Sequence, residues 1–120
     1  MGSVKFLEYQ GKRILLIDIS HCELEEIVSV VKECKKLIAK EKEATVYTLT
    51  NITGIHPTSS ITRVINDFVV FNKPYVKAGA VIGVDGLRKI AFNLVIKFSS
   101  RNFALFDTLE EGLKWLVTQN

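Results

Sequence analysis

Three hydroxyl side chains stand in a row at Thr58, Ser59 and Ser60, just after His56-Pro57 and directly before an apolar pattern of helical spacing. Hydroxyls at a helix start can cap it, bind an anion against free backbone N–H groups, or accept a phosphate that adds nearly two negative charges. A second group, Asp18, His21 and Cys22, sets nucleophile and metal-ligand types side by side. Zinc normally takes three or four protein ligands, and the only other histidine is His56, so no metal site is expected. Cys22 would fall in the first turn of a helix, where the helix dipole can lower a thiol pKa. An inert first-turn residue is the expectation there, and a reactive thiol the alternative. Gly83-Val84-Asp85-Gly86 is a strand-to-helix turn that matches neither phosphate-cradling glycine motif. With no nucleophile–base or acid–base constellation, neither enzymatic activity nor a cofactor is expected.

The elements that must position these groups follow from periodicity. Residues 4–9 and 13–19 read as strands joined by Gln10-Gly11-Lys12, an opening hairpin whose second strand is apolar on both faces and so central. Ser20 and Glu23 have capping-box spacing, opening an amphipathic helix that buries Leu24, Ile27, Val28, Val31, Cys34 and Ile38 and ends near Lys42. Residues 44–50 form a β-branched strand, and 51–57 a loop closed by Pro57. Ile61, Val64, Ile65, Phe68 and Asn72 share one face of the next helix, which stops before Lys73-Pro74. Residues 76–84 are a buried strand, with Asp85 as cap of a helix over 86–100. Residues 102–106 form a short strand, and Asp107 or Thr108 caps a last helix that faces Leu109, Leu113, Leu116 and Val117 inward, with Trp115 to the side.

The helix over 86–100 carries two apolar stripes where one suffices. At about 100° per residue, Leu87, Ile90, Ala91, Leu94, Val95 and Phe98 share a face while Phe92 and Ile96 point the opposite way. The outer pair, with Arg88 and Lys89 beside it, suits a partner surface, a homodimer contact or cover by a neighbouring helix.

The order ββαβαβαβα implies one α/β domain over residues 1–120, with a mostly parallel five-stranded sheet and an N-terminal hairpin. Ligands of such sheets bind at the carboxyl ends of strands, which here would gather Asp18, Ser20, His21, Thr53, His56, Thr58, Ser59, Ser60, Asp85, Asp107 and Thr108. The chain has 120 residues, 48% hydrophobic and 24% charged, an ordinary globular composition without an apolar run of membrane-spanning length. No signal peptide or myristoylation motif opens it, so a cytoplasmic location is expected. Cys22 and Cys34, about 18 Å apart if on one helix, are expected to be free thiols. The net charge of +3 is spread along the sequence, and nucleic acid is not an expected partner.

Several segments together resemble one family: Lys12-Arg13-Ile14-Leu15-Leu16-Ile17-Asp18, Leu49-Thr50-Asn51-Ile52-Thr53-Gly54, Asn72-Lys73-Pro74-Tyr75-Val76, Val81-Ile82-Gly83-Val84-Asp85-Gly86-Leu87, and Arg101-Asn102-Phe103 with Phe106-Asp107-Thr108. They are similar to the SpoIIAA-like branch of the STAS and CRAL-TRIO superfamily over nearly the whole chain. The resemblance implies a β-α superhelical fold of the kind found in anti-sigma-factor antagonists, non-enzymatic proteins that bind a regulatory kinase and are switched by phosphorylation. It also implies kinship to lipid-exchange domains, and so an alternative role as binder or carrier of a small apolar ligand. The antagonists' phosphoacceptor lies in an Asp-Ser-Ser-Gly type motif at the start of the helix after the third strand. Here Thr58 stands in place of Asp and Ile61 in place of Gly, and the resemblance carries over Ser59 and Ser60 as phosphoacceptor candidates.

Overall fold

The computed structural model describes residues 2–56, 58–84 and 103–119. Two strands, β1 (Ser3–Tyr9) and β2 (Lys12–Asp18), form the hairpin; α1 (Leu24–Ile38), β3 (Val46–Asn51), α2 (Ser59–Asn72) and β4 (Val76–Ile82) follow, then β5 (Phe103–Phe106) and α3 (Leu109–Val117). The helix expected over 86–100 lies outside the described residues, and with it Arg88, Lys89, Phe92 and Ile96.

The five strands lie in sequence order, β1-β2-β3-β4-β5, with β1 antiparallel to β2 and every later neighbour parallel. Gln10 and Gly11 make the hairpin turn with φ of 48° and 82°, the left-handed values that tight turns need. β2 is buried on both faces because side chains alternate across a strand. Leu15 and Ile17 join a core with Ile27, Val31, Cys34 and Ile38 of α1 and Ile61 and Phe68 of α2. Ile14 joins a second core on the other face, with Leu49, Ala78, Ala80 and Ile82 under Leu113 and Leu116 of α3. A mostly parallel α/β sheet with its opening hairpin is therefore the observed architecture.

Three local expectations are corrected. The capping box of α1 is built by Glu23 and Glu26, not by Ser20 and Glu23; the Glu26 carboxylate accepts from the Glu23 N–H at 3.2 Å. Ser20 is already bonded to Asp18, and His21 sits at φ 56°, a left-handed conformation that no helix continues through. The same helix ends at Ile38, short of Lys42, because residues 39–43 bring no apolar side chain beyond the small, exposed Ala39. Leu109 faces outward at 43% exposure, since three residues after the end of β5 it occupies the first position of α3 at the rim of the sheet. Leu113 and Leu116 do the burying, and Trp115 turns sideways onto Phe106 with ring centroids 5.5 Å apart.

Candidate functional site

The carboxyl edge of the sheet is built by repeating one device. β2 and β3 leave the sheet side by side, Asp18 opposite Asn51. Asp18 Oδ1 accepts from the Ser20 N–H at 2.9 Å and its hydroxyl at 2.6 Å. Asn51 Oδ1 accepts from the Thr53 N–H at 3.0 Å and its hydroxyl at 2.6 Å. Each side chain thus imitates a backbone turn and uses up the hydroxyl two residues on. The His21 N–H donates to the Thr53 carbonyl at 2.7 Å, which ties the two turns together. Gly54, at φ 72°, lies so close to the His21 ring that a Cβ there would run into it.

These contacts settle several sequence candidates. The hydroxyls of Ser20 and Thr53 orient loops, and the His21 ring rests on Gly54. Cys22 precedes α1 rather than lying in its first turn, and it is only 4% exposed. Burial pushes its thiol pKa up, with the nearby Glu26 and Asp18 charges adding to the effect, so the thiolate is disfavoured. Burial pushes Cys34 further, to about 12. Both thiols are free, as expected.

The start of α2 is different. Thr58 is the N-cap in extended conformation, and its Oγ1 accepts from the Ile61 N–H at 3.2 Å. Ser59 and Ser60 are the first two helical residues, exposed, with no hydrogen-bond partner for either hydroxyl among the described residues. No acidic side chain lies in the first turn, whereas Glu25 and Glu26 occupy that of α1 and Glu110 and Glu111 that of α3. His56, also exposed, accepts through its carbonyl from the Thr58 N–H at 2.9 Å. The structure therefore brings Thr58, Ser59 and Ser60 to the edge with His56, and assigns the cap to Thr58 alone. Asp85 lies outside the described residues.

Asn51 was missing from the candidates, although a signal for it exists. Asp18-Ile19-Ser20 and Asn51-Ile52-Thr53 are the same Asx-Ile-hydroxyl pattern at the ends of adjacent strands.

No family model matches the sequence, and no curated protein matches it. Among solved structures, the chain is similar to an uncharacterized protein from the DUF3478 family with a SpoIIAA-like fold, from Shewanella loihica PV-4. The TM-score is 0.69 at 18% identity, over 96% of this chain and 93% of that one. The fold is SpoIIAA-like. At that identity the likeness carries the fold alone, and it agrees with the architecture that the strand and helix order implied. Ser59 and Ser60 open the helix after the third strand.

Proposed function

We propose that this chain is a non-enzymatic, STAS-type protein-interaction module whose contact surface is the start of α2, switched by phosphorylation of Ser59 or Ser60. The observation that carries the proposal is the division of labour among three adjacent hydroxyls. Thr58 holds the cap, which leaves Ser59 and Ser60 exposed and without partners among the described residues. A phosphate on either would sit at the positive end of the α2 dipole, near free backbone N–H groups and with no carboxylate in that turn to repel it. The helix would tolerate the added charge. The switch therefore acts on the partner's side of the contact, by changing the charge that the partner meets.

The non-enzymatic part rests on what the edge groups already do. Ser20 and Thr53 are committed to their loops, and the Cys22 thiol is buried and raised in pKa, which leaves no activated nucleophile among the described edge residues. A regulatory protein or kinase in the cytoplasm is the proposed partner. Mass spectrometry of the protein isolated from its own cells is expected to find phosphate on Ser59 or Ser60. Affinity capture with wild type, Ser59→Asp, Ser60→Asp and the matching alanine variants is expected to show a partner whose retention changes with Asp and not with Ala. Identical capture by all variants, with no phosphate at either serine, would overturn the proposal. An activity abolished by mutating His21, Cys22 or His56 would overturn the non-enzymatic part.

A further inference from the structure

Two stretches of lysine far apart in sequence, Lys36 to Lys42 and Lys73, are brought to one edge by the fold. Parallel crossovers bring the end of α1 and the end of α2 to the same edge, the one opposite Ser59 and Ser60. There the two connections are laced together: Ala44 N–H donates to Pro74 O at 2.9 Å, and Thr45 and Val46 N–H both donate to Tyr75 O, at 3.1 and 3.0 Å. The Lys35 ammonium lies 5.4 Å from the centroid of the Phe71 ring, joining α1 to α2 at the same end. Lys36, Lys40, Lys42 and Lys73 are all exposed, and none makes an ion pair among the described residues. Glu41 is taken by Arg13 at 2.8 Å, so Glu43 is the one other carboxylate in these two connections.

An apolar tip accompanies the charge. Val70, in the last turn of α2, is 71% exposed, the most exposed large hydrophobic side chain among the described residues. It lies one turn before Lys73, whose N–H donates to the Val70 carbonyl at 3.3 Å, and exposed Pro74 follows.

We propose that this amino edge docks the protein on the anionic surface of a lipid bilayer, with Lys36, Lys40, Lys42 and Lys73 among the headgroups and Val70 at the interface. Three features favour a bilayer over other polyanions. The free cations are lysines, flexible point charges, whereas Arg13, the guanidinium at this edge, is engaged by Glu41 and by the Phe6 ring. The aromatic rings present, Phe71 and Tyr75, are half-buried and pack on each other at 5.8 Å, so they offer no platform for stacked bases. An exposed aliphatic residue beside the lysines gains by entering the headgroup region. Docked in this way, the protein holds the start of α2 at its far end, away from the membrane.

Vesicle co-sedimentation tests the proposal. Wild type is expected to bind phosphatidylcholine vesicles containing phosphatidylglycerol, to release with added salt, and to ignore phosphatidylcholine alone. Each lysine at such a surface strengthens binding about fivefold, so Lys40→Glu/Lys42→Glu/Lys73→Glu is expected to weaken it at least about a hundredfold. Val70→Ser is expected to weaken it about fivefold, with the salt dependence kept. A control with the same change in net charge elsewhere, Lys5→Glu/Arg63→Glu/Lys114→Glu, is expected to retain most of the binding. Failure of wild type to bind the anionic vesicles at low salt, equal loss in the control, or tighter binding of the same lysines to duplex DNA, RNA or an acidic polypeptide would overturn it.

Discussion

Thr58, Ser59 and Ser60 are nearly equivalent as chemistry and unequal in place, and that inequality is measurable. Thr58→Ala removes an N-cap and is expected to lower the unfolding free energy by about 1 kcal/mol in a urea titration, while Ser59→Ala and Ser60→Ala stay within about 0.5 kcal/mol. The same comparison at Cys34 concerns pH. Its thiol, raised from 9.0 to about 12 by burial, stays protonated in the folded protein where the unfolded chain would lose its proton. The raised pKa contributes stability in full below pH 9 and loses it as pH rises from there through about 12. The stability difference between wild type and Cys34→Ala is therefore expected to shrink as pH is raised through that window. Native protein at neutral pH is expected to leave Cys34 unalkylated by iodoacetamide until it unfolds. Residue types alone indicated the candidates, but not their roles: whether a hydroxyl caps, orients a loop or stays uncommitted depends on backbone conformation, as the left-handed His21 demonstrates.

Elements were most legible where a single physical pattern governs them. The amphipathic stripe of α1 predicts Ile27, Val31, Cys34 and Ile38 as buried, because burial repeats with the helical period, while Leu24 and Val28 at its flank are half-buried and Val30 is buried in addition. Its boundaries were less legible, since Ser20 had two competing acceptors of similar chemistry and the closer side chain, Asp18, took it. Close approaches between elements were not legible at all. β5 packs the Phe103 ring over Gly79, its partner in register, so that a Cβ at Gly79 would run into the ring. Gly79→Ala is expected to cost about 1–3 kcal/mol by overpacking, and part of that cost should vanish in a Phe103→Ala background, the remainder coming from Thr48 Oγ1, which the Cβ would meet at 2.9 Å. A cycle that showed simple additivity would rule the contact out as the cause. Gly112 plays a comparable part in α3, where a Cβ would meet Leu49 Cδ1 at 3.0 Å and the Ala80 Cβ at 3.3 Å.

At the scale of the molecule, the alternation of strands and helices made the parallel sheet legible, because each crossover needs a helix between its strands. The basic edge was not, since Lys73 comes to the same edge as Lys36, Lys40 and Lys42 only when two crossovers return to one side of the sheet. The outer stripe of Phe92 and Ile96 lies outside the described residues, and its use stays with the sequence. β1 lies at one margin of the sheet, with Lys5 and Glu8 exposed along it, charges that discourage edge-to-edge pairing. Lys5→Val/Glu8→Val is expected to aggregate by light scattering while changing the thermal midpoint little. Among the described residues, the two faces of the sheet are also unequally held. Among the described residues, α1 and α2 seal one face together, while α3, nine residues long, covers its own face through Leu113 and Leu116. Its far end is fastened where Lys12 donates to the Gln119 carbonyl, which also accepts from the Tyr47 hydroxyl at 3.2 Å. Amide hydrogen exchange should therefore find two levels of opening, with α3 detaching at lower free energy than α1 and without global unfolding. In that opened form the strip of Leu49, Ala78 and Ala80 meets water while the other core stays closed, and Lys12→Met should raise its population.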